Sequence, residues 1–452
     1  MTPDSTPRAD ADLAAPHGTR PGRSLRTWQV VTILLLFSGY AACYFCRADL
    51  AVSTPLLLAE LGKHGISHDD ALNRIGTIST LGVIAYAVGK LLLTGLGDFW
   101  GGKPNFLIGM GGALLFTVLF ALGGGVPVFT LAWIGNRLTQ SIAWAGLIKV
   151  SSKWFDYSWY GTVIGILSIS YLIGDAAARQ TMGMLIARGF GWRSLFVYAA
   201  IVVGITFVAS LWWLSESRTR SGFAEARANP MNLYAKSEGP AVSIAALLAP
   251  LLRSPAFLLV CFLSLGCTIV RETFNSWTPT YLKEHIGFAV GDAAQLSAIF
   301  PGVGAISVLL TGWLSDRLGL NGRALIMFVG LMASAAALIG LSMYTGTTPA
   351  VLPLVAIGTV AFCLLGPYSY LGGAFALDFG GKQAGAVSSG LIDGVGYVGG
   401  SLAGYGVSAM STRYGWNSVF VALALISAVA ALSAGWLLAM NMRAARTAVA
   451  RA

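Results

Sequence analysis

The sequence predicts an all-α membrane protein with twelve transmembrane helices arranged as two six-helix halves. Three observations predict it. The chain of 452 residues is 56% hydrophobic and only 11% charged, with mean hydropathy +0.71, too few polar residues to cover a soluble globule of this size. Its apolar residues fall into runs long enough to cross a bilayer core of roughly 30 Å as helices. Residues of the first half also recur in the second at one offset of 224 positions: Arg47, Thr54, Pro55, Leu58 and Glu60 become Arg271, Thr278, Pro279, Leu282 and Glu284.

The twelve spans run over 28–58, 72–96, 104–123, 126–150, 160–187, 192–214, 256–282, 293–315, 323–344, 351–377, 383–410 and 416–440. The polar, Arg-rich residues 1–26 precede an apolar run too long for a cleavable signal, so they read as a tail before an uncleaved first helix. Residues 27–214 make one half, 215–255 a polar linker, 256–440 the other half and 441–452 a second tail. An even number of spans puts both termini on one side. Seventeen Lys and Arg fall in the tails, the linker and the loops of that side, against six on the other, so the termini are expected to be cytoplasmic. The same dispersal of the net charge of +10 through tails and loops leaves no basic face for nucleic acid.

The repeat extends beyond the arginines. Gly191-Trp192 with Ser194, Phe196, Val197 and Ala200 returns as Gly415-Trp416 with Ser418, Phe420, Val421 and Ala424. Thr94-Gly95 leading to Asp98 is echoed, with a one-residue slip, by Thr311-Gly312 leading to Asp316-Arg317. Two parallel six-helix repeats hold a central cavity between them at mid-membrane, which lets spans one and seven face each other. That places Arg47 and Arg271 together. A guanidinium at that depth is costly, keeps its proton, and offers a fork that fits phosphate or carboxylate oxygens.

The segments around Asp98 and Asp316-Arg317 resemble the loop signature of the major facilitator superfamily, with Phe99-Trp100 in place of the usual basic residue in the first copy; the resemblance implies a gating role. Gly39-Tyr40, Tyr44 and Arg47, with Arg271 followed by Trp277-Thr-Pro-Thr-Tyr281-Leu282, resemble the organophosphate:inorganic phosphate antiporter family, which includes glycerol-3-phosphate and hexose-phosphate transporters. The resemblance implies that Arg47 and Arg271 bind the phosphoryl group and that exchange proceeds by rocking of the halves. Gln140, Trp144 and Lys149 match that family's fourth helix, with Ala145 in place of a proline, and Lys90 matches its second-helix lysine. The fifth-helix histidine of the glycerol-3-phosphate transporter falls on Tyr171, and Gly174-Asp175 follows, so substrate identity does not carry over.

Each of these residues has a plainer reading. Arg47 and Arg271 can form structural ion pairs with Asp49 or Glu272, Lys90 and Lys149 can snorkel, and Arg137 and Arg179 can neutralise Asp175 as buried partners. Tyr40, Tyr44, Trp144, Trp277 and Tyr281 can serve as packing, although Tyr44 shares a helix face with Arg47. No Walker-type loop or metal-ligand cluster is present, and the histidines, His17, His64, His68 and His285, lie in tails or loops, so neither an enzyme nor a cofactor is expected. Cys43, Cys46, Cys261, Cys267 and Cys363 lie in apolar spans and read as packing residues.

The expected ligand is a small anion, a phosphate ester or inorganic phosphate, carried by a monomer in a bacterial inner membrane. An empty site would leave two unpaired cations in a low-dielectric cavity, which favours exchange over uniport. The competing readings are a proton-coupled carboxylate symporter using Asp49, Asp175, Glu272 or Asp393, with Asp393 also counted among residues facing the ligand, and a membrane sensor of a phosphorylated sugar.

Overall fold

The computed structural model describes residues 24–93, 101–226, 251–318, 322–345, 349–375, 379 and 390–449. Asp98, Lys382 and residues 227–250 of the linker lie outside them. The first half comprises α1 (Leu25–Lys63), α2 (His68–Leu92), α3 (Gly102–Leu122), α4 (Val126–Gln140), α5 (Ala143–Trp154), α6 (Tyr157–Ala187) and α7 (Trp192–Trp213). The second comprises α8 (Pro255–Tyr281), α9 (Val290–Leu296), α10 (Ile299–Leu318), α11 (Gly322–Ser342), α12 (Val351–Tyr368), α13 (390–400), α14 (Tyr405–Tyr414) and α15 (Trp416–Val449). Among the described residues, 9 helices are long and apolar enough to cross a membrane. These coincide with expected spans one to three, six to ten and twelve.

Of the other three expected spans, two differ in ways with local causes. Span four is two helices, because Ser141 turns back on Leu138, its hydroxyl and its N–H both donating to that carbonyl, a competition that ends a helix. Span five is one helix of 31 residues with Asp175 and Arg179 in its interior. Within span eleven, α13 and a turn at Ser401–Ala403 stop at Gly404, after which α14 begins. The groups freed at that break are met from the other half: Thr80 donates to the Ser401 carbonyl at 2.8 Å and accepts from Tyr405 N at 2.8 Å. A hydroxyl on a neighbouring helix is what allows a break at membrane depth. The expected eighth span is likewise interrupted, between α9 and α10 at Ser297.

Within the first half α1 packs on α6 and α7, and α3 on α4, α5 and α7; within the second, α11 packs on α15 and α12, and α10 on α12. On the side that carries the N-terminus, Glu216 after α7 gathers three elements. It accepts from Gly102 N and Lys103 N at 2.9 and 2.6 Å and pairs with Lys153 Nζ at 2.5 Å, an anion on the N-terminal end of α3. Partial burial pushes its carboxyl up, but the Lys153 ammonium and the two backbone donors outweigh this and hold it below its ordinary value.

The halves meet along α1 with α8, α2 with α14, and α6 with α9 and α10. The latter two contacts lie on the side away from the N-terminus, and small residues make them close. A Cβ on Gly404 would sit 2.5 Å from the Gly76 carbonyl oxygen and 2.6 Å from Thr80 N; one on Gly183 would sit 2.7 Å from Gln295 N. His68 Nε2 also reaches Glu284 across the halves at 3.5 Å. The structure is therefore closed on that side, and Gly404→Ala should pry it open. Overpacking of this kind costs about 1–3 kcal/mol, so labelling of a Ser79→Cys reporter by an impermeant maleimide from that side should rise about tenfold or more. Unchanged labelling would show that the Gly404 contact does not hold the closure.

Candidate functional site

Helical spacing aims each polar side chain at the gap between the halves. Tyr40, Tyr44 and Arg47 on α1, Tyr86 and Lys90 on α2, Trp133 and Arg137 on α4, Tyr171, Asp175 and Arg179 on α6, and Asp393 and Tyr397 on α13 are each separated by three or four residues, so each set shares a face. Arg271 stands on α8 opposite α1 and Tyr368 ends α12. Gln140 keeps α4 on α1 by donating to the Cys46 carbonyl at 3.3 Å and to Asn136 Oδ1 at 2.6 Å.

Arg47 and Arg271 converge on one carboxylate. Glu272 Oε1 lies 3.1 Å from Arg271 Nη1 and 4.0 Å from Arg47 Nη2, while its Oε2 lies 3.8 Å from Arg137 Nη2. Each arginine is backed by tyrosines. Arg47 lies over the Tyr86 and Tyr44 rings at 4.5 and 5.2 Å and donates to the Tyr397 hydroxyl of the other half at 3.4 Å. Arg271 lies over Tyr368 at 5.0 Å, donates to its hydroxyl at 3.4 Å, and reaches the Tyr171 ring of the other half at 6.0 Å. Ring faces stabilise cations that have left water without supplying a counter-charge, so the guanidinium N–H groups stay available to an anion. The cluster borders a cavity of about 40 Å³ lined by Tyr44, Arg47, Ser79, Arg137, Asp175 and Glu272 among others. That space has room for only a few waters. A phosphate ester enters only when the halves separate.

The structure joins the expected residues unevenly. A row of rings runs from Trp144 through Tyr40 (5.1 Å) and Tyr44 (5.7 Å) to Tyr171 (5.6 Å), ending at Arg271. Lys90 stands on the same wall as Arg47, with Tyr86 between them at 5.6 Å, and its ammonium is held by Asp393 Oδ2 at 2.8 Å across the halves. Asp175 takes Arg179 Nε at 3.1 Å, and Arg179 goes on to donate to Ser297 Oγ at 3.2 Å and the Asn275 carbonyl at 2.7 Å, tying α6 to the second half. Asp175 and Arg179 thus pair with each other while both line the cavity.

Three expectations do not match this geometry. Arg137 does not share Asp175 with Arg179; it faces Glu272, because α4 projects it past Trp133 and Tyr86 toward α8. Tyr281 is away from the arginines, buried against Trp416, Phe420 and His285, since it lies near the end of α8 where the helix runs inside its own half. Empty arginines are also not bare cations, because Glu272 lies between them. Of the remaining candidates, Lys149 is half-buried on α5. Among the residues expected to gate, Arg317 stacks on Trp313 at 4.0 Å, and Asp316 falls in the last turn of α10. Tyr86, Tyr368 and Tyr397 escaped the sequence reading. Tyr86 and Tyr397 stand four residues from Lys90 and Asp393, a spacing that pointed to them, whereas nothing in the sequence marked Tyr368.

A family model described as Major Facilitator Superfamily matches residues 36–404. The chain belongs to that superfamily. It is an integral membrane protein with a transporter fold and is not an enzyme. Among curated proteins it is similar to the membrane sensor protein UhpC of Escherichia coli, 25% identical with 90% of this chain and 91% of that protein covered. A probable hexose phosphate transport protein of Chlamydia trachomatis is 26% identical over 90% of each chain, and the glycerol-3-phosphate transporter of Bacillus subtilis is 25% identical over 89% of this chain and 90% of its own. In fold the chain is similar to the inward-facing, unoccupied bacterial homologue of the human lysosomal transporter Spinster, at a TM-score of 0.72 and 14% identity, covering 94% of this chain and 99% of that one.

The Lys90–Asp393 pair joins the halves of this transporter near its arginines. Lys90→Gln and Asp393→Asn should each lose about 1–3 kcal/mol of stability by stranding the partner's charge, and the double variant should recover most of it, read by thermal unfolding in detergent. Additive losses would mean that the two side chains act separately.

Proposed function

We propose that this protein is a secondary transporter of an organic phosphate ester, of the sugar phosphate or glycerol phosphate type, which it exchanges for inorganic phosphate by alternating access. The observation that carries the reading is the convergence of Arg47 and Arg271, one from each half, on a single oxygen position. A phosphoryl group placed there takes charge-assisted hydrogen bonds from both arginines and draws the halves together. Ring-backed guanidiniums leave their N–H edges to the ligand, and the names of the relatives at about one-quarter identity supply the phosphate ester class. Lys90 and Tyr44 stand beside that position. We propose a monomer in a bacterial inner membrane, in keeping with the bacterial relatives, with both termini cytoplasmic on the distribution of Lys and Arg.

The test is exchange in proteoliposomes. Vesicles loaded with inorganic phosphate should take up labelled phosphate and a phosphorylated hexose or glycerol phosphate with or without a pH gradient. Arg47→Lys and Arg271→Lys keep the charge but lose the fork, and each should lower exchange roughly 10- to 100-fold while the protein still inserts. Near-normal exchange in both variants, or a requirement for the pH gradient, would overturn the reading. A second reading is favoured by the similarity to a membrane sensor: the same site would bind phosphate esters and pass no flux, and binding without exchange in the wild type would select it.

A further inference from the structure

Glu272 occupies the place that the proposed ligand needs, and this inference rests on that proposed function. Its Oε1 lies within salt-bridge distance of Arg47 and of Arg271 at once, as a phosphoryl oxygen would. Two anions at one position repel, so either Glu272 or the ligand holds the arginines. The structure also offers the displaced carboxylate a second seat. Glu272 Oε2 already points at Arg137 Nη2 at 3.8 Å, and Arg137 Nε and Nη1 are buried with no hydrogen-bond partner among the described residues. Buried donors of a charged group left unpaired are costly, and an acceptor arriving from Glu272 would satisfy them. Gln140 and Asn136, bonded to each other beside Arg137, hold that part of α4 against α1.

We propose that Glu272 is a tethered counter-anion: it bridges Arg47 and Arg271 in the empty transporter and passes to Arg137 when a phosphoryl group takes its place. Because Glu272 belongs to the second half and Arg47 and Arg137 to the first, the bridge draws the halves together without a ligand. The empty transporter can then close and return, so exchange is not obligatory and part of the flux is net. Arg137 acts through Glu272 and is a positioning residue.

Two readouts follow from Glu272→Gln, which keeps the shape and removes the charge. Binding of inorganic phosphate to purified protein in detergent should tighten about tenfold or more, the order expected when a competing charge-assisted bond is removed. In proteoliposomes, the ratio of net phosphate efflux into phosphate-free medium to phosphate:phosphate exchange should fall at least fivefold, since the empty site has lost its counter-ion. Glu272→Asp, which withdraws the carboxylate by one methylene, should shift both readouts in the same direction by less, and it replaces the first variant if that one does not insert. Arg137→Gln should weaken phosphate binding alone but not in the Glu272→Gln background, because its effect passes through Glu272. Weaker or equal binding in both Glu272 variants, an unchanged flux ratio, or no net efflux from the wild type would overturn the proposal while leaving phosphate exchange intact. A wild type that neither binds nor exchanges phosphate or its esters would instead overturn the function on which the proposal rests.

Discussion

Two guanidiniums held at membrane depth, one in each half of the chain, set the terms for everything around them. Neither can shed its proton, and both side chains are almost wholly withdrawn from bulk water. Each therefore needs ring faces behind it and an anion in front. The rings of Tyr44, Tyr86, Tyr171 and Tyr368 supply the first. Glu272 supplies the second, and the proposed ligand competes for that place. Because the arginines come from separate halves, whatever anion lies between them also joins the halves, which makes ligand binding and closure one event.

Two other sets of buried charges find partners of their own and do not compete with this pair. Asp175 is taken by Arg179, one helical turn away on the same helix, and Arg179 spends its remaining donors on Ser297 and the Asn275 carbonyl. Lys90 is taken by Asp393. Both sets of contacts span the halves, so they contribute to closure as well as to neutrality. Their loss strands charges in a low-dielectric site, which is why their energies show up on breaking rather than on forming. Glu272 differs from them in facing three guanidiniums, Arg271 at 3.1 Å and Arg137 and Arg47 at 3.8 and 4.0 Å, so it has other cations to move between.

Much of this was legible in the sequence because duplication marks equivalent positions. Arg47 and Arg271, with Pro55 and Pro279 following at the same offset, mark α1 and α8 as facing elements from the sequence alone. Hydropathy and length marked most spans because lipid tolerates little else. The breaks were not legible. The interruption at Gly404 depends on Thr80, 324 residues away in the chain, and the one at Ser141 depends on a hydroxyl choosing its own backbone. In the site, residues on a shared helix face with a marked residue could be found by spacing, as with Tyr44, Tyr86 and Tyr397. Tyr368 and the direction of Arg137 could not, because which helix faces which across the cavity is set by tertiary packing. Tyr281 misled for the same reason: its motif is local, but its neighbours are Trp416 and Phe420.

The central claim is that one phosphoryl group is held by both arginines at once. It is tested most directly by a double-mutant cycle on inorganic phosphate binding to purified protein, comparing the wild type with Arg47→Gln, Arg271→Gln and the double variant. If one anion bridges the pair, either substitution alone removes most of the affinity and the double variant binds little worse than the singles. If the two losses simply add, the arginines act at independent places and the account of a shared anion between the halves is wrong.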